Sequence, residues 1–470
     1  MKHISLLVVF LTSTALAADV PARKRNVLFI TADDYNVAMG AYGNTVVQTP
    51  NLDRLAARGV RFDRAYCQNP LCNPSRASFM TGLRPNTTRV QTNGPRLRNQ
   101  LPDVVTLPQL FHNNGYVAAR VGKIYHQGIP GGVGKQTHDD EQSWDIAYNP
   151  PGAEFTTKGP ETNPTPERGQ GFRFVIGESD GEEQHDHQAA TKAIEILEQH
   201  AGEKRDKPLF LAVGFIRPHV PPIAPRKQFD LHPLEKIQLP LVPADDRDDI
   251  PVAAFHDPKV YWNMTEQQSR ESIRAYYSAV SFMDAQVGRV LDALDRMKLT
   301  DDTLIVFLGD HGYLLGEHQT WQKMTLFEEA CRVPLLIAGA GVTQKGSAPR
   351  GLVELVDVYP TVADLCGLKP PTLVEGISLK PLLDNPAAPG KPAAFTQLQR
   401  KAIDGRSVRT DRWRYTEWNN GADGVELYDH DADPREHTNL AKDPKHAQIR
   451  KELKRMLDQT LPATRPTTAP

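Results

Sequence analysis

The stretch of this chain best suited to chemistry is Cys72-Asn73-Pro74-Ser75-Arg76-Ala77-Ser78-Phe79-Met80-Thr81-Gly82. Proline is pre-organised for a first helical turn, and serine, threonine and glycine punctuate the two ends of a helix. Cys72 is therefore expected at a helix N-terminus, where free backbone N–H groups and the macrodipole favour an anion. Taken alone, the same residues also describe a buried cysteine beside an ordinary capped helix.

Other reactive side chains stand just past apolar runs. Asn26 to Thr31 ends in Ala32-Asp33-Asp34, and Thr303 to Leu308 ends in Gly309-Asp310-His311-Gly312. Tyr116 to Val121 runs into Gly122-Lys123-Ile124-Tyr125-His126, and Pro208 to Gly214 delivers Phe215-Ile216-Arg217-Pro218-His219. Lys323 follows in Trp321-Gln322-Lys323. Carboxylates beyond strand ends lie where open α/β sheets place their ligands, although Asp33-Asp34 taken alone read more readily as a solvated turn. If Asp33, Asp34, Asp310 and His311 converge, the carboxylate oxygens among them suit Ca²⁺ or Mg²⁺ rather than zinc. His185-x-His187 reads as a polar helix start, and the run Asp245 to Asp249 as a solvated loop.

The elements that must position these groups alternate. Short apolar runs read as buried strands, joined by helices over Pro50–Arg58, Thr106–Asn114, Gln188–Gln199 and Asp357–Cys366. Val60 to Tyr66 reads as a further strand, and Val333 to Ala338 as another. Thr265 to Met297 is a long amphipathic helix, with Tyr277, Val280, Val287, Leu291 and Leu294 at helical spacing. Residues 127–184 and 221–262, rich in proline, glycine and charge, read as irregular insertions. Beyond 389 come strands at Ser407–Arg409, Trp413–Thr416 and Val425–Tyr428 and a helix near Lys442–Gln459. The pattern predicts an α/β sheet sandwiched by helices. The expected units are a signal peptide 1–17, a catalytic domain 25–388, a C-terminal subdomain 389–462 and a disordered tail 463–470.

Cys-x-Pro-Ser-Arg followed by Met-Thr-Gly resembles the signature of the type I sulfatases, with Met80 where leucine is commoner. Gly115-Tyr116, Gly122-Lys123 and His126 match that family's second signature. The resemblance implies an alkaline-phosphatase-like core, a mixed sheet between helices, plus a small C-terminal antiparallel sheet and helix. It implies that a separate formylglycine-generating enzyme oxidises Cys72 to formylglycine, whose hydrated aldehyde is the nucleophile. It also implies Ca²⁺ held by Asp33, Asp34, Asp310, His311 and an oxygen at position 72; His311 is a departure, since many members carry asparagine there, and it reads either as a direct ligand or as a residue supporting the ligands from behind. Arg76, Lys123 and Lys323 would surround the sulfate, with Asp310 as a base, His219 or Lys323 protonating the departing oxygen, and His126 removing the second hydroxyl proton.

Further matches resemble the iduronate-2-sulfatase branch: Arg84 to Arg89, Arg217-Pro218-His219, Asp310-His311-Gly312 with Gly316-Glu317-His318, and Arg409-Thr410 with Tyr415 to Trp418. They imply release of a 2-O-sulfate from a uronate in a sulfated oligosaccharide, with Arg409 or Arg89 meeting the sugar carboxylate. A structural ion pair is an equal reading of Arg409. The competing functions are phosphoester or phosphonate hydrolysis on the same fold, and non-catalytic binding of sulfated glycans.

Composition narrows the partners. A net charge of −2 over 470 residues gives no basic surface for nucleic acid. The run Ile4 to Leu11 before Ala15-Leu16-Ala17 reads as a secretory signal, and no later run is long enough to span a bilayer. The expected location is the periplasm or the medium, with no membrane partner. Cys67, Cys72, Cys331 and Cys366 allow at most one disulfide once Cys72 is converted.

Overall fold

Along the first strand, β1 (Asn26–Asp33), successive side chains point to opposite faces, as the pleat requires. Leu28 and Ile30 enter one hydrophobic core, and Val27 and Phe29 enter the other. The strand is buried from end to end, so it needs helices on both sides. The computed structural model describes residues 24–462 apart from 136, 169–171 and 203–206. The expected signal peptide 1–17 and tail 463–470 lie outside the described residues.

In chain order there follow α1 (Pro50–Arg58), β2 (Gly59–Arg61), α2 (Cys72–Thr81), β3 (Val117–Gly122) and β4 (Ile146–Tyr148). Next come α3 (His185–Gly202), β5 (Leu209–Pro218), α4 (Glu266–Arg296), β6 (Thr303–Gly309), β7 (Leu335–Gly339) and α5 (Val358–Leu365). The seven strands form one sheet in the order β2-β7-β6-β1-β5-β3-β4. β1 runs parallel to β5 and β6, with Val27 opposite both Phe210 and Leu304, whereas β7 is antiparallel to both its neighbours, β6 and β2. Helices α1, α3 and α4 cover one face, and α2 and α5 the other. Each large apolar side chain so buried is worth about 1.5–3 kcal/mol.

The capping of α4 is legible in its first turn. Thr265 accepts from the Gln268 amide, and the Gln268 side chain accepts from Thr265. The buried carboxylate of Asp284 then fixes the start of α1, accepting from the backbone N–H groups of Asn51 and Leu52. The C-terminal unit is an antiparallel meander, β8 (Ala394–Arg400), β9 (Ile403–Arg409), β10 (Trp413–Trp418) and β11 (Val425–Asp429), packed on α6 (Ala447–Thr460).

Several expectations need correction. Val60 to Tyr66 is not one strand: Gly59–Arg61 edges the main sheet, and Ala65–Tyr66 joins a separate one, after a turn in which Arg61 pairs with Asp63. The insertions are not wholly irregular, because Phe174–Gly177 from one pairs with Ile223–Pro225 from the other. The acidic run is not simply solvated, since Asp246 is buried against His318. His185 does start a helix but is itself buried, bonded to Asp186. No disulfide joins any of the four cysteines, all of which lie among the described residues. No helix among the described residues is long and apolar enough to cross a membrane.

Candidate active site

The C-terminal ends of β1, β3, β5 and β6 and the N-terminus of α2 converge on one point, as the switch of direction in an open α/β sheet allows. Cys72 is the first residue of α2, preceded by extended Leu71, and the helix ends at Gly82 in the left-handed region at φ 68°. Every residue of this helix is buried, so a polar side chain in it needs a partner from the fold, which Ser78 Oγ lacks. Ser75 meets this need by donating its hydroxyl to the backbone carbonyl of Asp310.

Arg76 forms the floor. Its Nε is 2.9 Å from Asp310 Oδ2, one terminal nitrogen is 3.2 Å from Asp33 Oδ1, and the other donates to the carbonyls of Lys123 and Ile124. Lys123 Nζ lies 2.5 Å from Asp33 Oδ2. The loop carrying Lys123 can lie so close to β5 only because both contacting residues lack a side chain. A Cβ on Gly214 would sit 2.1 Å from the Lys123 carbonyl oxygen, and one on Gly122, at φ 74°, 2.2 Å from that of Gly214.

Asp34, at φ 59°, turns its backbone N–H onto Asp310 Oδ1 at 3.0 Å, and the His311 N–H meets the same oxygen at 3.0 Å. His311 donates Nδ1–H to the Gly312 carbonyl, which leaves Nε2 facing the centre, 3.4 Å from Cys72 Sγ and 3.3 Å from Asp34 Oδ1. Lys323 Nζ is 3.3 Å from Cys72 Sγ and pairs with Asp34. His219 Nε2 stands 3.8 Å from Asp34 Oδ2 and 4.0 Å from Asp33 Oδ2. His126 lies beside Cys72 and stacks edge-on against His138, the ring centroids 5.2 Å apart.

Electrostatics follow from the burial. Burial alone would raise the Cys72 thiol, but Lys123, Lys323 and His311 outweigh it and hold the thiol well below its ordinary value. Burial pushes the Asp310 carboxyl up to about 7 despite His311 and Arg76. Burial works against protonated His311, yet Asp310 brings it up to about 9. His126 is lowered, chiefly by burial.

Ten of the expected residues therefore meet: Asp33, Asp34, Cys72, Arg76, Lys123, His126, His219, Asp310, His311 and Lys323. Two stand apart. Arg409 is buried at the end of β9, its Nε 3.6 Å from Glu328, which favours the structural ion pair over a sugar contact. Arg89 is exposed at the end of the short helix Pro85–Thr88. Sequence reasoning missed Ser75 as a brace and His138 as the neighbour of His126; Ser75 stands in the signature, but its partner Asp310 lies far along the chain, and His138 carries no local signal.

The donor set suits a hard divalent cation. Ligand atoms of Asp33, Cys72, Asp310 and His311, and of Asp33, Asp34, Cys72 and His219, lie within 4.8 Å of one another. Asp34 Oδ2 is buried without a hydrogen-bond partner, as a metal ligand in this place would be. A third group, Glu328, His430 and Glu436, is different: Arg414 already pairs with both glutamates.

Comparison with known proteins finds two matching families. The family described as Sulfatase matches residues 25–368, and the C-terminal family of N-sulphoglucosamine sulphohydrolase matches 316–462. A protein of Formosa agariphila named sulfatase is 36% identical, over 93% of this chain and 87% of its own. Human iduronate 2-sulfatase is 32% identical, over 89% of this chain and 91% of its own. The crystal structure of the phosphonate monoester hydrolase of Agrobacterium radiobacter superposes with a TM-score of 0.76 at 23% identity, over 93% of this chain and 95% of that one, a likeness of fold.

Proposed function

Because the chain belongs to the sulfatase family and is a sulfuric ester hydrolase, we propose that it releases a 2-O-sulfate from a uronate, or a related acidic sugar, of a sulfated glycan. The observation that carries the reading is the setting of Cys72. Its Sγ lies 3.3 Å from Lys323 and 3.4 Å from His311, at a buried helix N-terminus. A site so arranged stabilises negative charge where it develops. The 2-O-sulfate and the uronate rest on the likeness to human iduronate 2-sulfatase and on the Asp310-His311 pair.

Conversion of Cys72 to formylglycine by a separate maturing enzyme would supply a hydrated aldehyde as nucleophile. The residues around it fit that group: position 72 is buried, ringed by cations and within reach of His126. Ca²⁺, or Mg²⁺, held by Asp33, Asp34, Asp310 and His311 would neutralise the sulfate oxygens. Lys123 and Lys323 add positive charge on the sulfate side, and Arg76 holds Asp33 and Asp310 in place from beneath. His219, 13% exposed at the rim, or Lys323 delivers a proton to the departing sugar oxygen. His126, neutral near pH 7 because burial lowers it, accepts a proton at position 72. Arg89 is the available contact for a sugar carboxylate. Residues 1–17, read as a signal peptide, would export the enzyme to the periplasm or the medium.

Hydrolysis of phosphonate or phosphate esters is the second reading, favoured by the fold likeness to the phosphonate monoester hydrolase. A panel of matched sulfate, phosphate and phosphonate esters, including a 2-O-sulfated uronate disaccharide and its carboxyl-lacking counterpart, separates them. Preferential sulfate release from the uronate is expected. Faster phosphate or phosphonate release refutes the activity, and equal rates on the two sugars remove the uronate.

A further inference from the structure

The chemistry above leaves Gly316-Glu317-His318 and the acidic run Asp245–Asp249 unused, yet the fold brings them together. Asp310 and His311 stand at the base of a short hairpin in which Leu314–Leu315 pairs with Trp321–Gln322, and Lys323 follows its second strand. One hairpin thus links two parts of the site, and its tilt decides where Lys323 lies relative to Asp310 and His311. His318 is at the tip. It is wholly buried, with Nδ1 3.0 Å from Asp246 Oδ2 and its ring stacked 3.9 Å from that of Phe327. Next to it, Gln319 donates its amide to the carbonyls of Pro243 at 3.0 Å and Ala244 at 3.2 Å.

The backbone here is one that side-chain-bearing residues rarely adopt. His318, Gln319, Gln322 and Met324 have φ of 51°, 54°, 69° and 66°. Such conformations persist only where the surroundings over-determine them, and they gather where a side chain must be aimed. Two of the four flank Lys323 directly, and the other two are the clamped residues of the tip. The insertion segment 243–246 supplies the clamp.

We propose that His318, held by Asp246 and Phe327, is a positioning residue that fixes the hairpin so that Lys323 is held against residue 72 and Asp34. The inference rests on the catalytic role given to Lys323 above. A histidine that merely glued the insertion to the core would support folding without acting through Lys323.

The test uses His318→Gln and Asp246→Asn in the full chain, with the sulfate ester turned over fastest in the panel above. Each should lower kcat roughly tenfold or more, with KM within about twofold, because a misplaced catalytic group is lost in the transition state. In a Lys323→Ala background neither should lower it further, since nothing is left to position. Amide hydrogen exchange over 314–324 should quicken in both variants, in unconverted protein as well, while β1 and α4 stay as protected as in the wild type. If either variant unfolds early, Gln319→Ala, which removes only the bonds to residues 243 and 244, carries the same expectations. Wild-type kcat in the variants while Lys323→Ala is impaired overturns the positioning role alone. Losses that multiply with that of Lys323→Ala do the same. A Lys323→Ala enzyme at the wild-type rate overturns both this inference and the reading of the site.

Discussion

Replacing Arg76 by lysine keeps the charge and removes the shape. The guanidinium is completely buried and spends its nitrogens on four acceptors, the carboxylates of Asp33 and Asp310 and the carbonyls of Lys123 and Ile124. A single ammonium on a flexible stem cannot serve all four. Asp33 keeps Lys123, so the carboxylate left short is Asp310. Breaking a buried pair of this kind costs about 3–5 kcal/mol, a large share of the ~5–15 kcal/mol by which a domain is stable. For a chain of this size the melting temperature should fall by roughly 3–5 °C.

The second consequence is electrostatic. The Asp310 carboxyl is already pushed up to about 7 by burial, and Arg76 is one of the groups that restrain it. A lysine ammonium drawn to Asp33 no longer reaches Asp310 Oδ2, so this restraint weakens, the carboxyl rises further, and each unit above the solution pH costs about tenfold in metal affinity. Calorimetric unfolding of wild type and Arg76→Lys, with and without Ca²⁺ at pH 7, measures both effects. The variant should melt lower and gain less from Ca²⁺. An unchanged melting temperature together with an unchanged Ca²⁺ increment would refute the reasoning.

Other expectations follow from the same geometry. Chelation, or Asp34→Ala, should abolish turnover and remove the Ca²⁺-dependent rise in melting temperature; full activity in verified metal-free enzyme contradicts the cation site. His126 is held below its ordinary 6.5, burial being the largest cause, and must be neutral to accept a proton. The acid limb of the kcat profile should therefore have its midpoint below that value and disappear in His126→Ala; a limb above it that depends on His126 counts against the role. Arg409→Ala should cost stability, because it leaves the buried Glu328 short of a partner, while Arg89→Ala should leave the melt unchanged and lower kcat/KM for the uronate substrate roughly tenfold or more. Differential scanning calorimetry and kinetics on the matched sugars distinguish the two arginines.

The parts of this site that a reader of the sequence can find are those announced locally. Asp33-Asp34 and Asp310-His311 each end a short apolar run, and parallel strands place such ends side by side. Cys72 heads a helix whose Pro74 and Gly82 mark its limits. The remainder depends on partners far along the chain. Nothing near Asp246 says that it will be buried, because His318 lies 72 residues on. Arg409 reads equally as a sugar contact and as an ion-pair partner until Glu328 comes beside it. Ile146–Tyr148 is too short and exposed for periodicity to reveal, yet it adds an edge to the sheet through parallel pairing with β3. Local pattern sets the elements and their ends; long-range pairing settles which charged side chains serve the chemistry and which hold the frame.

The central claim is that residue 72, converted from cysteine, is the nucleophile of a sulfuric ester hydrolase. Mass spectrometry of the peptide containing residue 72, across preparations of graded specific activity, tests it most directly. The account predicts a form lighter by the difference between a thiol-bearing side chain and an aldehyde, in a fraction that tracks sulfate release, and no turnover in a folded Cys72→Ala protein. Sulfate release at the full rate from protein carrying only the unmodified thiol, or from Cys72→Ala, would contradict it.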